Sequence, residues 1–197
     1  MKQSMRSQSK SHYNSTYRVE RIDAKMTSLT KFELRFMMPH EAKRVAELVC
    51  SLQDYQQKKD CTRLPKEEDF LRELVHLDSN GNLIPNNNGT FTAVAIDLDR
   101  RDEPSEIYIV GYLMYTQSFS IIHGRHLYIN SFFIQEDYRR CGLGKKLVDF
   151  MRQHGQSLGH NGFDVPFMNN NLAGQSFYKK LGAYLVNEDY QLFAIEL

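Results

Sequence analysis

The stretch that most constrains the fold is Tyr128–Phe150, where a strand, a glycine loop and a helix follow one another without a break. From Tyr128 to Ile134, aromatic and aliphatic side chains alternate with small polar ones, the pattern of a pleated strand. Arg139-Arg140-Cys141-Gly142-Leu143-Gly144 comes next, and its glycines let backbone N–H groups approach a ligand closely. Leu143, Leu147, Phe150, Met151 and His154 then recur at helical spacing. Bare amides opening a helix make an anion site, because they point at the ligand and the helix dipole favours negative charge. Arg139, Arg140, Lys145 and Lys146 add cations suited to phosphate. Two common phosphate loops are excluded. A Walker loop would need glycine at Arg139 and Ser or Thr at Lys146. The dinucleotide fingerprint lacks its third glycine.

The rest of the chain supplies further elements. Phe32–Met38 reads as a strand stopped by Pro39, and His40–Tyr55 as a helix with Ala42, Val45, Ala46, Leu48, Val49 and Leu52 on its apolar face. Pro65–Leu77 reads as a second helix, with Phe70, Leu71, Leu74 and Val75 inward. Asp78–Gly89 is turn chemistry. Phe91–Leu98 and Ile107–Thr116 read as strands, and Gly111 marks a bulge or a close backbone approach. Phe163–Met168 reads as a strand. Asn171–Leu181 reads as a helix with Ala173, Phe177 and Leu181 on one face and Gly182 as its stop. Tyr184–Val186 and Tyr190–Ile195 read as closing strands. The pattern predicts an α+β (mixed α/β) sheet.

Strand, Arg-x-x-Gly-x-Gly, helix and strand, then Asn171 and Phe177-Tyr178-Lys179-Lys180-Leu181-Gly182-Ala183, resemble the GNAT acetyltransferases. Within that superfamily the chain is most similar to the spermidine/spermine (diamine) N-acetyltransferases. Leu127-Tyr128, Phe132-Phe133, Asp137-Tyr138-Arg139, Ser176-Phe177-Tyr178-Lys179 and Leu192-Phe193 carry that likeness, which is strong from Leu127 onward and thin before it. The resemblance implies a GNAT domain over residues 31–197, with a central, mostly antiparallel twisted sheet and helices on both faces. It implies acetyl-CoA as co-substrate, with the pyrophosphate on the glycine loop. Cofactor contacts would fall on Phe132, Phe133, Ile134, Arg139, Arg140, Cys141, Gly142, Leu143, Gly144, Lys145, Asn171, Ala173, Gly174 and Lys180. Tyr178 would be the acid that protonates the departing thiolate. Asn171 is also a natural N-cap for its helix.

The amine side departs from the diamine enzymes. Where they carry a Glu-Asp pair, this chain has Asn130 and Ser131, and neither can act as a base. Their Tyr-Glu becomes Tyr55-Gln56, nearby acids become Lys58 and Lys59, and an aspartate and a tryptophan become Ser120 and Ile122. Glu188 survives. Each lost carboxylate removes on the order of 1 kcal/mol of pairing with a polycation. Tyr55, Gln56, Asn130, Asp164 and Glu188 are the expected substrate contacts. The resulting expectation is an N-acetyltransferase acting on a primary amine of a small molecule. An acetyl-CoA-binding protein with little turnover and a protein-amine acetyltransferase stay open beside it.

Lys plus Arg number 25 against 24 Asp plus Glu, which argues for neither nucleic acid nor membrane. No apolar run approaches the roughly 20 residues that span a bilayer. Cys50, Cys61 and Cys141 are odd in number and lack metal spacing, which points to a reducing, cytoplasmic setting. No metal is expected, since His123 and His126 have no Cys, Asp or Glu beside them in sequence. Residues 1–30 read as a disordered basic tail. A mitochondrial presequence shares their composition, but the apolar stripe it needs is poor here. A homodimer is implied by the resemblance alone.

Overall fold

The computed structural model describes residues 31–56, 65–77, 83–84, 89–100, 102–103, 108–121 and 123–185. The strands are β1 (Phe32–Phe36), β2 (Leu74–Leu77), β3 (Leu83–Ile84), β4 (Thr90–Asp97), β5 (Ile109–Ser120), β6 (Gly124–Ile134) and β7 (Gly162–Asp164). The helices are α1 (Ala42–Tyr55), α2 (Glu67–Glu73), α3 (Leu143–Ser157) and α4 (Leu172–Lys180). Among the described residues the sheet runs β3-β2-β4-β5-β6-β7, with β1 also paired to β4. The β1–β4, β2–β3, β4–β5 and β5–β6 pairs are antiparallel, and β2–β4 and β6–β7 are parallel. Since β5 lines one edge of β4, β1 and β2 share the other. This is the expected mixed, mostly antiparallel sheet.

Helices cover both faces, and each face has its own core. Leu143, Leu147, Val148 and Met151 of α3 meet Ala93, Ala95, Leu113, Tyr115, Leu127 and Ile129 on one side. Ala42, Val45, Leu48 and Val49 of α1 meet Val94, Ile96, Ile109, Tyr112 and Met114 on the other. Burying each of the Val, Leu, Ile and Met side chains among them is worth about 2 kcal/mol, so the amphipathic faces of α1 and α3 fix both helices. A buried ion pair between Arg35 and Glu41 ties β1 to the start of α1, and the Met38 N–H donates to Glu41 at 2.7 Å.

Two bulges re-aim side chains. Ala95 pairs with Gly111 and Ile96 with Ile109, so Val110 is an extra residue in β5. Gly111 beside it fulfils both expected roles, for a Cβ there would stand 3.0 Å from the Phe133 carbonyl oxygen. In β6, Met114 faces Ser131 and Tyr115 faces Ile129, which leaves Asn130 unpaired. This bulge breaks the alternation read over Tyr128–Ile134. Leu127 and Ile129 face α3, and beyond Asn130 it is Phe132 and Ile134 that do, while Phe133 joins the α1 core.

Other readings need correction. Leu74–Leu77 is a strand and not the end of a helix, because parallel pairing with Thr90 and Phe91 overrides the helical spacing. The turn-rich stretch before Gly89 contains β3. β7 stops at Asp164 and does not continue to Met168, because among the described residues its paired positions are those opposite His126–Tyr128. Ala173 is exposed, so the inward face of α4 is Phe177, Tyr178 and Leu181. Tyr184 and Leu185 are exposed and not in a strand. Residues 1–30, Lys58, Lys59, Ile122, Glu188, the Leu192-Phe193 pair and the last predicted strand lie outside the described residues, as does the Ser120 side chain.

Candidate active site

The end of β6 positions the glycine loop. A short 3-10 turn, Glu136–Tyr138, follows Ile134, and the Tyr138 hydroxyl donates to Asp97 Oδ2 at 3.0 Å. Arg139 Nε donates to the Ile134 carbonyl at 2.8 Å, and its guanidinium lies 4.5 Å from the Tyr55 ring centroid and 5.4 Å from that of Phe133. Arg139 therefore braces the loop against α1. Arg140 has φ 61°, the only positive φ at a non-glycine among the described residues, and Gly142 has φ 88°. A left-handed arginine costs about 1–3 kcal/mol and persists where neighbours over-determine it, often at ligand sites. Gly142 is the N-cap of α3, and no side chain caps it. The amides of the first turn, Leu143 to Lys145, have no acceptor within the helix.

Exposed Arg140 stands at the mouth of a pocket of ≈ 280 Å³ that it lines with Glu136 and Arg139. Lys145 is engaged by Asp149 at 2.6 Å. Cys141 is exposed, with its thiol 3.2 Å from the Tyr138 carbonyl. Uncapped amides, two left-handed residues and a nearby guanidinium fit a pyrophosphate, and the Glu136 carboxylate is the one unfavourable charge lining the pocket.

Beside this loop the sheet opens. β6 pairs with β7 over His126–Tyr128, and among the described residues Ile129–Ile134 has no strand on that side. The open edge leaves N–H and C=O groups for an extended ligand. α4 closes the far wall. Asn171 caps it, its Oδ1 accepting from the Gly174 N–H at 2.9 Å, and exposed Lys180 ends it. Tyr178 is 4 % exposed and lies edge-on to Phe167 and Phe177, each at 4.9 Å. Its hydroxyl makes no hydrogen bond among the described residues, and desolvation pushes its pKa well above the usual tyrosine value.

The opposite face of β6 carries polar groups beside the α1 core. Asn130 is exposed at the bulge, and the Ser131 hydroxyl is bonded to that of Tyr112 at 2.8 Å. Burial raises the Tyr112 pKa strongly, so this pair supplies no base. Tyr55 is half-exposed beneath Arg139, and Gln56 caps α1 through its backbone. Asp164 faces His126, with Oδ1 3.3 Å from Nδ1. An acid therefore does accompany His123 and His126 in three dimensions, although none stands beside them in sequence. Residues 126 and 164 meet through the parallel β6–β7 register, which no local pattern announces.

The sequence profile of the acetyltransferase (GNAT) family matches residues 51–183, from the second half of α1 through the end of α4. The chain belongs to this family. It is 28% identical over 95 residues to the thialysine N-epsilon-acetyltransferase of Bos taurus, covering 48% of this chain and 56% of that one. It is 25% identical over 88 residues to an L-ornithine N5-acetyltransferase of Arabidopsis thaliana, covering 44% and 39%. The chain thus spans about half or less of the length of these curated relatives. Among solved structures, an aminoglycoside acetyltransferase from an uncultured soil metagenomic sample superposes with a TM-score of 0.62 at 17% identity, covering 85% of this chain and 97% of that one. That likeness speaks to the fold. Among the described residues no helix is long and apolar enough to cross a membrane.

Proposed function

We propose that this GNAT protein moves an acetyl group from acetyl-CoA to a primary amine of a small molecule that is less cationic than a polyamine. The observation that carries the reading is one continuous arrangement. The uncapped α3 N-terminus with left-handed Arg140 and Gly142 sits at the end of β6, beside an open strand edge and the lone Tyr178 hydroxyl. Amides from Cys141 to Lys145, with Arg140, would hold the pyrophosphate. The open edge of β6 and the Asn171 side chain would align the pantetheine arm. N–H groups near Phe133 would bond the thioester oxygen as it gains negative charge. Acetyl-CoA supplies the activated acyl carbon, and direct attack by the amine requires no covalent enzyme intermediate.

The proton inventory follows from the residues. An alkyl amine has a pKa near 10.4, so only about a thousandth of it is neutral at pH 7. Asn130 and the Tyr112–Ser131 pair cannot take its proton, and we assign that step to water or bulk solvent. Desolvated Tyr178 stays protonated and can donate to the departing sulfur. Its raised pKa makes outright transfer uphill, so the proton it gives must be replaced by the one the amine sheds. The names of the sequence relatives, which concern thialysine and ornithine, agree with a small amino-acid-like amine. From the family resemblance and the cysteine pattern we also propose a cytoplasmic homodimer.

The test is CoA release from acetyl-CoA with a panel of amines. We expect kcat/KM to be higher for neutral-tailed monoamines and amino-acid amines than for spermidine, with the alkyl-amine rate rising up to about pH 9. A clear preference for spermidine would overturn the amine assignment. CoA binding without release for any amine would favour a binding protein.

A further inference from the structure

We infer that His123, His126 and Asp164 form a binding site for a divalent transition-metal ion of the zinc class. The three residues come from the β5–β6 turn, the start of β6 and the end of β7, and one ligand atom from each lies within 4.8 Å of the others. Two imidazoles and a carboxylate are a donor set that suits zinc, nickel or copper, and poorly suits magnesium or calcium. The geometry is half-built. A tetrahedral ion with arms of roughly 2.0–2.1 Å needs donors about 3.3 Å apart. His126 Nδ1 and Asp164 Oδ1 already stand 3.3 Å apart.

The His123 and His126 rings are stacked at 14° with centroids 4.9 Å apart, so the His123 side chain must turn out of the stack to bring its donor, already within 4.8 Å of the other two, to the same point. The site is sheltered without being sealed. The His126 side chain is 13% exposed and that of Asp164 34%, which leaves access for the ion and room for a fourth, water ligand. Two neighbours hold the ligands in place. The His126 ring lies over Gly162, where a Cβ would stand 3.0 Å from Nε2. The Tyr184 hydroxyl reaches His123 Nε2 at 3.5 Å, an outer contact of the kind that orients a ligating imidazole.

The position gives such an ion a structural consequence. Asp164 pairs in register with Tyr128, the last β6 residue bonded to β7 before the strands separate. An ion held here ties the β5–β6 turn to both strands at the root of that opening. It also occupies Asp164, removing a carboxylate from the amine side.

Calorimetric titration with zinc chloride tests this on the full chain, stripped of metal and carrying Cys50→Ser, Cys61→Ser and Cys141→Ser so that thiols do not compete. We expect one ion per chain, and a Tm rise of roughly 5 °C or more at a hundredfold excess over Kd. Asp164→Asn and His126→Ala should each weaken binding by at least about tenfold. His123→Asn, on the turn, is the variant least able to disturb the fold, and should do the same. Absence of zinc binding would overturn the site and leave a His–Asp hydrogen bond with a stacked neighbour. Binding that survives His123→Asn with unchanged Kd would overturn it too.

Discussion

On the α3 side of β6, Leu127, Ile129, Phe132 and Ile134 point into an aromatic core that also takes in Phe163, Phe177 and Tyr178. On the α1 side, the same strand presents His126, exposed Asn130 and a hydroxyl pair, with Asp164 across the parallel register. One side is dry and holds the Tyr178 hydroxyl, which makes no hydrogen bond among the described residues. The other carries polar groups that bond one another, Ser131 to Tyr112 and His126 to Asp164, beside exposed Asn130. A group that must meet every acetyl donor in the same way is best fixed in a packed wall, where a misplaced ring costs several kcal/mol. Amine recognition needs only surface-reachable polar groups, and those can be exchanged without refolding anything.

The largest expected effect lies on the donor side. Gly142→Val puts a β-branched side chain at φ 88° in the proposed phosphate cradle. We expect a loss of CoA affinity of about a thousandfold or more, read by calorimetry on protein whose far-ultraviolet circular dichroism is unchanged. Unaltered CoA binding in a folded variant would move the pyrophosphate elsewhere.

The dryness of that side can be tested through His154, which is buried with Nδ1 2.8 Å from the Tyr115 hydroxyl and edge-on to Phe91 at 4.6 Å. Burial, reinforced by His160, pushes its pKa down from 6.5 to about 4. Between these values the unfolded chain binds the proton and the folded chain does not, so stability rises with pH across that window. Above pH 6.5 the folded state carries no penalty from this group. Falling from 6.5 to 4 should cost about 3 kcal/mol. Urea denaturation of the wild type and of His154→Leu at both pH values isolates the contribution. The variant, whatever its absolute stability, should lose roughly 3 kcal/mol less over the interval.

Tyr178→Phe comes next. It keeps the ring and its packing against Phe167 and Phe177 and removes the proton alone. We expect turnover to fall by about a hundredfold with CoA affinity little changed. Turnover within about twofold of wild type would make Tyr178 a packing residue, and the two sides of β6 would differ less than their surroundings suggest.

How far each side was legible in the sequence follows from how local its determinants are. The α3 side rests on consecutive residues: a strand, glycines, a helix with Leu143, Leu147 and Met151 inward, and Asn171 as a cap. All of these are read from spacing alone. The bulge at Asn130 was not, because one extra residue in β6 is defined only by its register with Met114 and Tyr115. Nor was the approach of Asp164 to His126, which depends on a parallel pairing 38 residues apart in sequence. The strand at Leu74–Leu77 was missed for the same reason, since its identity comes from β4. Arg140 gave no signal either, for nothing in an Arg-Arg pair announces which one turns left-handed.

The smallest effect concerns a contact that joins the two sides. Arg139 belongs to the loop that opens α3, yet its guanidinium rests on the ring of Tyr55 at the end of α1, an expected amine contact. The Tyr55 side is solvent-facing, the residue being 51% exposed, so the stacking is worth about 0.5–1 kcal/mol. Arg139 also donates to the Ile134 carbonyl, so Arg139→Ala should cost more than Tyr55→Leu. A double-mutant cycle in urea denaturation should return a coupling of about 0.5–1 kcal/mol. The sharper reading is CoA affinity. If the stack transmits the position of α1 to the loop, Tyr55→Leu should weaken CoA binding by about two- to fivefold, although Tyr55 lies on the proposed amine side. A coupling of zero, with CoA affinity unchanged, would show that the donor and amine sides are set independently.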